Sequence, residues 1–160
     1  MFTRHIILAA LLGVSAGATQ AEVVSPSAVV ANEYGEIAQS LTGIAGDPAR
    51  GQEVMTTRGL GNCIACHQVT ALQEYPFHGE VGPSLDGVGA RWDEAGLRGI
   101  VANAKAMFPE SVMPSFYKID GYIRPGDAYT GKAAEGALDP LLTAQDIEDV
   151  VAYLLTLTEY

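Results

Sequence analysis

Cys63-Ile64-Ala65-Cys66-His67 is the stretch on which the reading of the chain turns. It holds both cysteines of the 160 residues. Two thiols three positions apart, with an imidazole beside the second, suit a small set of chemistries. A redox-active dithiol sits at a helix start in a βαβ setting with one thiol made acidic, and no strand pattern surrounds this one. A zinc site needs further thiol or imidazole ligands at matching spacing, and no other cysteine exists. A disulfide between residues so close in sequence closes almost no loop and stabilises little. Thioether bonds from both thiols to the two vinyl groups of one porphyrin, with the adjacent imidazole on the iron, use all three side chains. The expectation is one haem c held at Cys63 and Cys66, with His67 as an iron ligand. A dithiol oxidoreductase using the same cysteines is the alternative of a different class.

The flanks supply helices. Upstream, Asp47-Pro48 joins an N-cap acid to proline at the first helical position, predicting a helix through Ala49 to about Thr57 that stops near Gly59 and Gly61. Downstream, Thr143 with Asp146 three residues on forms an imperfect capping box. Ile147, Val150, Val151 and Leu154 follow at helical spacing, and Tyr153 and Leu157 widen the stripe. Between these, Asp93 to about Met107 predicts a helix with Leu97, Ile100, Val101 and Ala104 on one side. Gly79 to Gly89 and Pro109 to Pro140 read as connections, strand signals are weak, and no repeat is present. The class is all-α with long loops, and a haem would fill a core that the helices alone leave thin.

A second iron ligand has three candidates. Met113, followed by Pro114 in a stiffened loop, offers a soft, neutral thioether that would raise the reduction potential. Met107, where the middle helix should end, suits core packing. His78 suits a loop histidine with a local hydrogen bond. Met113 is preferred.

The chain's start reads as an export signal. Arg4 precedes the apolar run Ile6 to Val14, and Thr19-Gln20-Ala21 fits a small-x-small cleavage site, so residues 1–21 are expected to be removed after Ala21. No other stretch approaches transmembrane length. The net charge is −10, and loss of Arg4 with no acid makes it −11. That balance argues against nucleic acid and anionic lipid as partners. Residues 22–45, rich in Ala, Ser and Gly, read as an extension loosely wrapped on a domain spanning 46–160.

In order, the first helix, C-x-x-C-H, Gly82-Pro83-Ser84-Leu85, the middle helix, Met113-Pro114 and the last helix with Tyr153 resemble class I cytochromes c, from about Gly46 to Leu157. The resemblance implies that fold, three to four helices around one covalent haem, with Gly51 letting the first helix approach the last on its Tyr153 side. It also implies that the Pro83 carbonyl accepts the Nδ1 proton of His67, that Leu85 packs on the haem, and that Arg91 lies near a propionate; for Arg91 a surface salt bridge is the competing reading. A closer likeness is to the SoxX family. It is carried by Phe77-His78-Gly79, Val81 to Val88, Arg91-Trp92, Met113-Pro114-Ser115-Phe116-Tyr117 and Leu142 to Leu154. SoxX proteins are monohaem subunits of the periplasmic thiosulfate-oxidising system. This implies a heterodimer with a SoxA-like cytochrome that joins thiosulfate oxidatively to a cysteine of the SoxYZ carrier. The reactive centre would belong to SoxA, while this haem passes electrons to a further cytochrome. A free periplasmic electron shuttle is the alternative within the class.

Overall fold

The computed structural model describes residues 22–123, 125–126 and 132–159, so the expected signal segment lies outside the described residues. Among them are four α-helices: α1 (Pro48–Thr56), α2 (Val88–Arg91), α3 (Glu94–Met107) and α4 (Ala144–Thr156). The caps act as their chemistry requires. The Asp47 carboxylate accepts from the Ala49 amide at 2.9 Å. At α4, the Thr143 hydroxyl accepts from the Asp146 amide at 3.1 Å, and the Asp146 side chain accepts from the Thr143 amide in return. That reciprocal pair satisfies two amides that a helix start otherwise leaves unbonded. Single 3₁₀ turns cover Pro26–Ala28, Cys63–Ala65 and Thr70–Leu72. The connection read over Gly79 to Gly89 gives way at Val88 to the one-turn α2. Of residues 118–140, those described form no helix and one isolated antiparallel bridge, Gly126 with Ala133.

The apolar stripe of α4 is buried at every predicted position: Ile147, Val150, Val151, Tyr153, Leu154 and Leu157. Burial of such side chains contributes on the order of 1.5–3 kcal/mol each, which makes α4 the central element. α1 crosses it at Gly51, where a methyl group would run into the Asp149 carbonyl and lie 2.9 Å from Tyr153 Cβ. Only a glycine permits this approach, as the resemblance implied. Leu97, Val101 and Ala104 of α3 join the core, whereas Ile100 is half-buried and turns toward a cavity.

The loosely wrapped extension requires correction. Within residues 22–46, Ile37, Leu41 and Thr42 are buried, and Val24 donates to Leu41 O at 2.8 Å. Its anchor is an ion pair in the dry interior. Arg98 of α3, 2% exposed, bonds both carboxylate oxygens of Glu148 of α4, 3% exposed, at 2.9 Å. Arg98 also donates to Ile37 O at 2.8 Å and pairs with Glu94. Glu148 accepts from the Leu41 amide at 2.6 Å and from Ser40 Oγ at 3.1 Å. The two charges thus bind the backbone of the extension across α3 and α4. Among the described residues, no helix is long and apolar enough to cross a membrane.

Candidate functional site

Asn62 sets the attachment turn. Its φ of +46° is left-handed, a conformation that asparagine tolerates better than most residues. The chain then enters the 3₁₀ turn Cys63–Ala65, with the Cys66 and His67 amides both donating to Cys63 O at 3.1 and 3.0 Å. Cys63 is half-buried and Cys66 exposed, and neither is in a disulfide. Burial, with some help from the neighbouring Cys66, pushes the Cys63 thiol up to about 12.

The imidazole of His67 is fixed from two sides. Its Nδ1 lies 2.7 Å from Pro83 O, so Nδ1–H donates and Nε2 is the nitrogen with a lone pair to offer. A methyl group on Gly82 would strike the same ring. The strand of chain that carries both residues is held to the attachment turn by Gly82 N donating to Cys66 O at 2.8 Å and Gly79 N to Ile64 O at 2.8 Å.

These residues line one cavity of about 1060 Å³. That is at the upper end of the roughly 300–1,000 Å³ typical of small-molecule and cofactor sites. Cys63, Cys66 and His67 lie on one wall, and Met113, Pro114 and Phe116 come from the loop after α3. Leu85, Val88, Trp92, Ile100, Ala104 and Phe108 complete an apolar lining. Trp92 and Phe108 meet edge to face, with ring centroids 6.1 Å apart. The donor set, two cysteine sulfurs, an imidazole and a thioether on the lining of one largely apolar cavity, fits an iron porphyrin.

The other candidates fall where their chemistry takes them. Met107, the last residue of α3, is half-buried and does not line the cavity. His78 also lies off its wall: Nδ1 accepts from the Val69 amide at 3.2 Å and Nε2 donates to Leu72 O at 3.1 Å. Both of its nitrogens are therefore occupied by local backbone. Arg91 stands on the cavity rim and donates to Asp86 O at 2.7 Å and Ser84 O at 3.4 Å, tying the Pro83 loop from behind. In the same loop, Asp86 accepts from Thr70 N at 2.8 Å and Thr70 Oγ1 at 2.7 Å. Partial burial opposes the charge on Asp86, but these bonds, with Ser84 and Arg91, hold its carboxyl below the usual range. Sequence reasoning missed Gly82, whose role is visible only against the folded His67 ring. It also missed Trp92 and Phe108 as walls, although aromatic residues flanking a helix that faces a cofactor are a usable signal.

The thiols speak against a dithiol oxidoreductase. Such enzymes use a thiol of lowered pKa at a helix N-terminus, whereas Cys63 is raised and sits on a single 3₁₀ turn. Among the described residues no group of three or more His, Cys, Asp or Glu side chains could hold a metal ion.

The cytochrome c family profile matches residues 48–158. A chain in the crystal structure of SoxXA from P. pantotrophus is 56% identical, with 84% of this chain and 98% of that one covered and a TM-score of 0.81. Ferric cytochrome c-550 from Paracoccus versutus is 22% identical over 71% of this chain and 98% of that one, with a TM-score of 0.38. No curated protein matches the chain. Its attachment turn, its cavity and its likeness over nearly the whole of a SoxXA chain lead to one conclusion: the chain belongs to the cytochrome c family, whose members hold haem c covalently, and is a cytochrome of the SoxX type.

Proposed function

We propose that this chain is the electron-transfer subunit of a SoxXA complex, carrying one haem c and pairing with a SoxA-like cytochrome. The observation that carries the reading is the convergence of Cys63, Cys66, His67 and Met113 on one apolar cavity in a chain 56% identical to a SoxXA chain. When bound, the haem supplies a one-electron couple. The protein supplies the rest. Cys63 and Cys66 anchor the group as thioethers, His67 offers Nε2 to the iron, and the Pro83 carbonyl keeps the proton on Nδ1 and strengthens the donor. Met113, on the lining of the same cavity, would supply a thioether as the second ligand, which would raise the potential relative to a second imidazole. Leu85, Ile100 and Phe116 exclude water from the site, and Arg91 stands at the rim where a propionate charge would be met.

Once both thiols are bonded no free thiol remains, and no activated nucleophile is evident among the described residues, which agrees with the joining of thiosulfate to a SoxYZ cysteine taking place on the partner. This subunit's part would be to hold a haem that could accept the released electrons and pass them to a downstream cytochrome. Export to the periplasm after cleavage near Ala21 completes the reading, with 22–45 the extension and 46–160 the cytochrome domain.

Exposed apolar side chains stand at the cavity mouth, Val81 at 69% and Val112 at 78% exposure, and supply a face for the partner. The haem-loaded chain, mixed with a SoxA-like cytochrome at micromolar concentration, should elute as a heterodimer. Separate elution would leave a free electron shuttle as the better account.

A further inference from the structure

α3 does not run unbroken. At Asn103 the backbone leaves helical geometry, with φ −158° and ψ 79°. The break places two hydrogen-bonding groups of α3 against the loop that carries Met113. The Ala102 carbonyl accepts from the Tyr117 amide at 3.0 Å. The Asn103 side-chain oxygen accepts from Ser115 Oγ at 2.7 Å, and Ser115 is buried. Two residues further on, Lys105 Nζ donates to the carbonyl of Met113 itself at 2.9 Å. On the other face of this stretch, Ile100, Ala104 and Phe108 line the cavity. The helix that forms one wall of the site is therefore also the rail to which the Met113 loop is fastened.

Resting on the ligand assignment above, we infer that Asn103 and Ser115 are a positioning pair for Met113. Their bond, two residues beyond the thioether, sets how firmly the loop presents sulfur to the iron. The interruption of α3 falls where Ala102 O and Asn103 Oδ1 bond the loop. The buried hydroxyl has no other partner than Asn103 Oδ1 in the bonds it makes as a donor. Without it the loop keeps Pro114 and the Tyr117 amide bond but loses its attachment nearest to Met113 on the C-terminal side.

Imidazole titration of the oxidised, haem-loaded chain reads this directly, because added imidazole binds the iron by displacing the methionine. Ser115→Ala should bind imidazole about fivefold more tightly, the factor carried by one buried hydrogen bond, and its midpoint potential should fall. Ser115→Thr, which keeps the hydroxyl, should restore both. Val151→Ala, a core truncation in α4, should lower the melting temperature and leave imidazole affinity unchanged. Wild-type affinity and potential in Ser115→Ala would overturn the positioning role. Met113→Leu in the same titration separates the two levels. If it binds imidazole no more tightly than the wild type, the ligand assignment itself fails. If it binds far more tightly while Ser115→Ala does not, only the positioning pair fails.

Discussion

The two sides of α3 are built on opposite principles. Toward the extension, Arg98 carries a full charge into the dry interior and meets Glu148, Glu94 and the Ile37 carbonyl. Toward the cavity, Ile100, Ala104 and Phe108 present only hydrocarbon, and the Met113 loop is fastened by hydrogen bonds to backbone and neutral groups or by an exposed lysine. The lesson is electrostatic. A buried unpaired charge beside a redox centre would favour one oxidation state strongly in a low-dielectric site. The charge that fastens the chain is instead neutralised on the far face, and the wall that α3 gives the cavity is left apolar. Stability and redox tuning are thereby assigned to different faces of one helix.

The contrast can be broken most forcefully at Arg98. Arg98→Ala leaves the Glu148 carboxylate buried without its partner, which costs on the order of 3–5 kcal/mol. Urea denaturation should show that loss, while the folded remainder keeps its absorption spectrum and midpoint potential. A potential that moved as far as it does in Met113→Leu would mean the two faces are not independent.

Gly82→Ala tests the other face. The added methyl pushes on the His67 ring, and overpacking of this kind costs roughly 1–3 kcal/mol. Here the spectrum should change along with stability, because the ring that moves is the proposed iron ligand. An unaltered spectrum with lowered stability would show that the ring relaxes without losing its bond to Pro83.

The ligand pair sharpens the contrast further. Met113→Leu should lower the potential and abolish the weak thioether-to-iron absorption of the oxidised protein, with little change in urea midpoint. Met107→Leu, off the cavity wall, should spare both signals.

The smallest effect belongs to Asp86. Its folded carboxyl is held below the unfolded value of about 3.9. Its contribution is therefore present above that pH and fades as pH falls through the depressed folded value. Being only partly buried, it is worth under about 1 kcal/mol. Asp86→Asn should lower stability by that small amount at neutral pH, leave the acid end of a stability-against-pH curve unchanged, and so flatten its acid limb.

Much of this was legible from residue types and spacing. Asp47-Pro48 and Thr143 with Asp146 marked two helix starts within one residue, because capping is local chemistry. That Cys63, Cys66, His67 and Met113 would meet at one cavity could be expected because each offers a particular atom, sulfur or imidazole, at a short spacing or in a stiff loop. The Arg98–Glu148 pair could not. Arg98 follows Leu97 of the apolar stripe, and periodicity alone sends such a residue to solvent. Only the extension folding over it, with Ile37 61 residues away along the chain, and the pairing with Glu148, 50 residues away, turn that position inward. The same long-range origin hid the ordered packing of residues 22–46 and the interruption at Asn103. Composition said loose extension because Ala, Ser and Gly are frequent in it; two of its apolar residues, Ile37 and Leu41, are buried and carry the packing.

The most direct test of the central claim is the mass of the denatured chain after export from a host with haem-attachment machinery, measured with and without a thiol-alkylating reagent. The account predicts the polypeptide plus one haem, with no alkylation at Cys63 or Cys66, because both sulfurs are bonded to carbon. A mass without haem and with two alkylated thiols would contradict it, and would return the paired cysteines to dithiol chemistry.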